Sequence, residues 1–260
     1  SILSNANYHL AISIMSDSDL KQLNFPQTIS DSSIKGIILV EICDKVVCDA
    51  LSQFNLPIVS VDMPNVPFEE LNGIDVVTME SKKNLKKIIN QLIEKGAESF
   101  GFVGDLYSPN VSRGFQERYN ALSECLAEHQ LPLNQKNCLL HQTPEDFRNF
   151  QTTVNNLQAM ISLPDVFICG NDWTAIQLIY ALQFLGFQIP KDICVVGFDN
   201  IPAASRISPS LTTISTPQKY LGIAAARQIL ERIQHPNCPH VFCQYETELI
   251  IRNSTNITSF

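Results

Sequence analysis

The run DICVVGFDN, residues 192–200, decides how this chain folds. From Ile193 to Phe198 no position carries a polar side chain except the thiol of Cys194. A strand with one wet face alternates apolar and polar residues, whereas one without that alternation is covered on both faces. That is the pattern of a parallel sheet packed between helices. The run then passes through Gly197 and Phe198 into Asp199 and Asn200, a carboxylate and an amide. Ligands of open parallel sheets bind just beyond the carboxyl ends of the strands, so this polar ending marks a candidate binding edge.

The same grammar recurs along the chain. IKGIILVEI (34–42), LPIVSVD (56–62), SFGFVGD (99–105) and PDVFICGND (164–172) read as further buried strands. Helical stretches separate them. SKKNLKKIINQLIEKG (81–96) is expected to start with Ser81 as N-cap, bury Ile88, Ile89, Leu92 and Ile93, and stop at Gly96. ERYNALSECLAEHQ (117–130) and DWTAIQLIYALQFLG (172–186) follow. TPQKYLGIAAARQILERI (216–233) opens with Thr216 as the expected cap and Pro217 at the first helical position. Two such alternations predict an α/β chain of two doubly wound parallel-sheet lobes. Asp62, Asp105, Asn171, Asp172, Asp199 and Asn200 all fall at strand ends. Each can also serve as a helix cap or turn former; the repetition at four ends favours a shared polar cleft.

Bulk properties narrow the function. The chain has 260 residues, 45% hydrophobic and 17% charged, which suits one large domain or two lobes. A net charge of −8 provides no field for collecting phosphates, so the chain itself is a poor nucleic-acid binder. The basic run from Lys82 to Lys87 reads as the wet face of a helix. No apolar run is long enough to cross a membrane. The start, SILSNANYHL, has neither a basic region nor a long apolar one, so no signal peptide is expected. Several of the eight Cys sit in apolar runs as small hydrophobes, which favours a reducing cytoplasm. CPHVFC offers Cys238, His240 and Cys243 but no fourth ligand at a standard spacing, so no metal is expected. G-x-S-x-G, P-loop and G-x-G-x-x-G motifs are lacking, so neither an enzyme nor a cofactor is expected.

The segment 165–233 carries more than generic α/β patterning. It contains Asn171-Asp172 with Ala175, Ala181-Leu182 with Gly186, Ile189-Pro190, Asp192-Ile193, Val195 to Asp199, Pro209 with Leu211 to Ile214, and Gly222 with Ala225. With the ending ETELIIRNST, this resembles the LacI/GalR family of bacterial repressors, and SIKGIIL, LPIVSVD and LIEKGAESFGFVGD extend the likeness toward the start. The resemblance implies a core of the periplasmic-binding-protein type I kind: two lobes joined by three crossovers, with an effector cleft between them. Residues 1–105 plus 217–241 are expected to form the first lobe, 106–216 plus 242–253 the second, and 254–260 a tail. The family reads operator DNA through a helix-turn-helix module ahead of this core, which residues 1–260 are not expected to include, and works as a homodimer. NANYHLAISIM resembles the end of the family's first helix and its second strand, so the chain is expected to begin inside that helix.

The resemblance also assigns residues. Asp199 of VVGFD and Asp62 of VSVD match carboxylates that bind effector hydroxyls, and Asn171 matches a pocket amide. Arg118 of ERYNAL matches a pocket arginine, although Ala121 and Leu122 stand where the family has Gly and Phe. A surface ion pair of Arg118 with Glu117 or Glu124 is its other reading. Trp173 can wall the pocket, or pack in the core or at a dimer interface; Ile176, Ile179 and Tyr180 of the same helix can supply part of the dimer contact or pack in the core. Carboxylates, an amide and a guanidinium suit the vicinal hydroxyls of a sugar. Thr143, where an aromatic is usual, argues against a flat base. The expected function is effector sensing in a transcriptional repressor; the alternative is an extracytoplasmic sugar-binding protein of an uptake transporter.

Overall fold

A computed structural model describes residues 2–108, 110–141, 146, 149–256 and 258. In chain order its principal helices are α1 (Ile2–Asn5), α2 (Asp17–Gln22), α3 (Lys45–Ser52), α4 (Lys83–Glu94), α5 (Arg113–Glu128), α6 (Phe150–Gln158), α7 (Asp172–Phe184) and α8 (Gln218–Gln234). The strands are β1 (Ile37–Val40), β2 (Ile58–Val61), β3 (Ile74–Met79), β4 (Phe100–Val103), β5 (Val166–Cys169), β6 (Cys194–Asp199), β7 (Thr212–Ser215), β8 (Phe242–Tyr245) and β9 (Glu248–Ile250). The chain divides into two compact units. The first comprises residues 1–79, 109–113 and 217–245, and the second 80–108, 114–216 and 246–260.

The first unit holds a four-stranded sheet in the order β1-β2-β3-β8, with every neighbour parallel. Alternate residues leave opposite faces of a strand, and both faces are covered. Ile58, Ile74 and Val76 pack with Val47, Cys48 and Leu51 of α3, whose start is capped by the Asp44 carboxylate on the Val46 amide. Val59 and Val77 pack on the other side against Leu221, Ala225 and Ile229 of α8. Residues 8–16 join no sheet, and Leu10, Ile12 and Ile14 are exposed. The strand implied there by resemblance is not formed: an alternating pattern makes no strand without a ladder partner for its backbone groups.

A buried ion pair closes this unit. Arg232 of α8 donates from Nε and Nη2 to the two oxygens of Asp75 on β3, at 3.0 and 2.8 Å. The same guanidinium takes the carbonyls of Pro236, Cys238 and Pro239, while Asp75 accepts from the Val241 amide. Burial pushes the Asp75 carboxyl upward, but these hydrogen bonds outweigh it and hold the group below its ordinary value. One residue pair thus fixes the path from α8 into β8.

The second unit holds a five-stranded sheet, β4-β5-β6-β7-β9, in which β4 to β7 are parallel and β9 runs antiparallel to β7. Helix α7 buries residues around most of its circumference, Ile176 and Ile179 among them, so those two belong to the core. The C-terminal RNST is a stitch. Ser254 donates to the Val195 carbonyl at 2.6 Å and accepts from the Thr212 amide at 2.8 Å. Thr255 and Thr212 join hydroxyls at 2.7 Å.

Three details differ from the sequence expectation. Helix α4 and strand β4 lie in the second unit, because β4 pairs with β5, and β8 lies in the first, because it pairs with β3. Ser81 does not cap α4; its hydroxyl is buried without a partner among the described residues, and Glu80 accepts from the Lys82 and Lys83 amides instead. Thr216 does not cap α8 either, since its hydroxyl turns to the Asp199 carbonyl at 3.4 Å. Gly96 and Gly186 do end their helices in the left-handed conformation.

Replacing Arg232 by Leu takes the guanidinium from a buried carboxylate that still has the Val241 amide and His240 Nδ1 at 3.4 Å, and losing the charge partner costs about 3–5 kcal/mol. Urea unfolding of Arg232→Leu is expected to show that loss at pH 7. The loss shrinks in acid, because a carboxyl held low stabilises the fold above its unfolded value and ceases to as pH falls through the folded one.

Candidate functional site

The parallel register of the second sheet brings four strand ends to one edge. Val103 pairs with Cys169, and Asp199 with Ser215, at matching levels of their ladders. The backbone is bent sharply there. Asp199 has φ +113° and Asn200 φ +55°, successive left-handed residues without a glycine. Asp62, at the end of β2 in the first unit, has φ +74°. Non-glycine residues in this region cost about 1–3 kcal/mol each and persist where surrounding contacts over-determine them.

The contacts that hold Asp199 and Asn200 converge on Asp172, the first residue of α7, which is fully buried. Thr213 of β7 donates its hydroxyl to Asp172 Oδ1 at 2.6 Å. The Ile201 amide donates to Oδ2 at 2.9 Å. The Asn200 amide reaches the same Thr213 hydroxyl at 3.3 Å. Asn200 also gives Nδ2 to Ser215 at 3.2 Å and accepts from Arg252 Nη2 at 2.7 Å. Burial pushes the Asp172 carboxyl up to about 6, against the opposing pull of Thr213, Ile201 and the Arg252 charge. Gly197 is explained by the same group: a Cβ there would lie 2.2 Å from Asp172 Oδ1.

The expected ligand residues fall as follows. Asn171 caps α7, its Oδ1 accepting from the Thr174 amide at 2.9 Å, which leaves the amide nitrogen of its side chain for other use. Arg118 is not a surface residue. It is buried in α5, with its guanidinium 3.5 Å from the Phe198 ring centroid and Nη1 donating to the Gly170 carbonyl at 2.6 Å. It therefore bridges the ends of β5 and β6, next in sequence to Asn171 and Asp199. Trp173 is 62% exposed, which rules out the core. Asp62 accepts from the Met63 amide at 2.8 Å and belongs to the first unit, whereas the other four belong to the second. Asp105 turns on itself, accepting from the amides of Tyr107 and Ser108. Thr143 lies outside the described residues.

Two features had no clear trace in the local pattern. Phe115 of α5 lies against Gly170, where a Cβ would meet the ring at 2.3 Å, so the glycine of CGND makes room for it. Tyr107 stacks on His141 with centroids 4.3 Å apart beside the end of β4. The glycine just after β5, a residue type that often marks a close approach, was the local sign of the Phe115 contact.

Comparison with known proteins agrees with this architecture. Residues 89–255 match the model of the periplasmic binding protein-like domain. The chain belongs to that family. A PurR-type HTH transcriptional repressor of Photobacterium profundum is 26% identical over 255 residues, covering 96% of this chain and 73% of the repressor. The ribose operon repressor of Haemophilus influenzae is 28% identical over 231 residues, covering 88% of this chain and 66% of the repressor. A LacI family regulator from Enterococcus faecium, solved with bound ribose, superposes with a TM-score of 0.75 at 22% identity, over 98% of this chain and 90% of that one. The fold is thus that of the effector-binding cores of LacI-type regulators, and the chain spans roughly two thirds of those repressors' length. No helix among the described residues is long and apolar enough to cross a membrane.

Asp172 supplies a pH test. Its folded value lies above its unfolded one, so the stability it contributes is fully present below about pH 4 and is lost as pH rises through about 6. Asparagine keeps both contacts without the charge by accepting from the Ile201 amide with its oxygen and donating from its nitrogen to the Thr213 oxygen, which reverses that bond. Asp172→Asn is therefore expected to gain stability relative to the parent between pH 4 and 7, by roughly 3 kcal/mol at 1.4 kcal/mol per pH unit. Chemical denaturation at several pH values reads this directly, and a constant difference across the range contradicts it.

Proposed function

We propose that this chain is the effector-sensing core of a LacI-type transcriptional repressor that binds a small polar metabolite, a sugar in preference to other classes. The strained end of β6 supports this most strongly: Asp199 ends β6, Asn171 follows the neighbouring strand β5, and Arg118 joins the two strand ends. A carboxylate accepts two hydroxyl hydrogens, and an amide both donates and accepts, which suits vicinal hydroxyls. Trp173 is assigned to the rim of this site on family resemblance. The ribose in the related regulator and the name of the ribose operon repressor favour a pentose-like ligand. In this reading the chain performs no catalysis and works in the cytoplasm. Its relatives are repressors, which favours regulation over uptake.

DNA reading in the full-length protein belongs to a helix-turn-helix module, since a core of charge −8 is repelled by phosphates. Effector binding alters operator affinity by shifting the equilibrium between two states of the core, a coupling typically of about 1–3 kcal/mol. The protein pairs as a homodimer. Tyr180 and Phe184 are exposed one turn apart on α7, an apolar pair suited to a second copy.

Calorimetric titration with D-ribose, other sugars and nucleosides tests the ligand class. A sugar is expected to bind, and Asp199→Ala to weaken it at least about 100-fold, since two charge-assisted bonds are worth about 1.5–3 kcal/mol each. The variant should still unfold cooperatively. Binding unchanged in Asp199→Ala, or nucleosides alone binding, contradicts the proposal. Sedimentation of Tyr180→Asp/Phe184→Asp is expected to show monomer where the parent chain is a dimer; an unchanged dimer removes α7 from the interface.

A further inference from the structure

Asp172 combines features that the ligand assignment does not use. It is fully buried, so it does not itself meet a ligand. Its two oxygens join three elements: its own helix α7, strand β7 through the Thr213 hydroxyl, and the turn after β6 through the Ile201 amide. Asp199 and Asn200 lie between two fixed points. Upstream is the ladder pair Asp199–Ser215, and downstream is the Ile201 amide on Asp172. Two successive left-handed residues relax unless both ends are held. Thr213 extends the hold, since its hydroxyl accepts from the Asn200 amide while donating to Asp172. The carboxylate also presses on β6 two residues before Asp199, where only glycine fits.

We propose that Asp172 is the positioning residue for the effector-binding carboxylate: by fixing the backbone from Asn200 to Ile201 it sets the direction in which Asp199 presents its oxygens. This rests on the reading of Asp199 as a ligand group. Asp172 determines that pose through hydrogen-bond geometry, and an isosteric amide retains both contacts with the Thr213 bond reversed in direction. Gly197 acts through the same contact, because a methyl group there displaces the carboxylate.

The test uses the full chain with two readouts, amide hydrogen exchange over residues 199–201 and calorimetric affinity for D-ribose. In Asp172→Ala and in Gly197→Ala, exchange of the Asn200 and Ile201 amides is expected to rise about tenfold or more, and D-ribose affinity to fall by a similar factor. Asp172→Asn is expected to stay within about threefold of the parent on both. Gly197→Ala should cost less in the Asp172→Ala background than alone, because the clashing oxygen has gone and only the Leu211 side chain, 2.8 Å from the added methyl, must still shift. If Asp172→Ala does not fold, Thr213→Val breaks one of the two bonds and should raise exchange at Asn200 and Ile201 in the same way. Unchanged exchange at these amides in the folded variants overturns the proposal, as does raised exchange with full D-ribose affinity. Exchange that responds as expected in a parent chain blind to D-ribose supports the hold on the strand end and overturns the pentose reading instead.

Discussion

The second unit depends on one buried carboxylate. A charged group in a dry interior is costly unless each of its oxygens is hydrogen-bonded, and Asp172 meets that condition through Thr213 and Ile201. Those partners belong to a neighbouring strand and to the turn after another, so satisfying the charge fixes the start of α7, the level of β7 and the path out of β6 together. The glycine of VVGFD follows from the same geometry, since the carboxylate occupies the volume that a side chain at 197 would need.

From this constraint a route leads to function. Parallel pairing gathers the strand ends at one edge, and burial on both faces leaves that edge as the place for polar chemistry. There the chain tolerates left-handed backbone at Asp199 and Asn200, which the ladder, Asp172, Ser215 and Arg252 hold in place. Arg118 completes the base of the edge, with its guanidinium over the Phe198 ring and Nη1 donating to the Gly170 carbonyl. Strain at Asp199 with rigid support beneath it is the arrangement expected of the proposed binding site, which must present one pose.

Much of this was legible in the chain itself. Strands without alternation, helices ending at Gly96 and Gly186, and polar strand endings follow from short-range physics, and the structure has them. What escaped depends on partners distant in sequence. Nothing local says that β4 pairs with β5 or β8 with β3, so the division between units was read at the wrong strands. Ser81 and Thr216 have good capping chemistry, yet Glu80 and the Asp199 carbonyl compete for the same roles. Asp172 looked like one more polar strand end, because burial is a property of what α7 packs against. Arg118 looked able to pair with neighbouring glutamates, because the ring of Phe198 lies eighty residues away in sequence.

The most direct measurement is a crystal structure of the chain grown with D-ribose, read at the end of β6. The account predicts sugar hydroxyls within hydrogen-bond reach of the Asp199 carboxylate and the Asn171 amide, with the bonds of Asp172 to Thr213 and Ile201 unchanged. A sugar bound elsewhere, with no contact to Asp199, would contradict it.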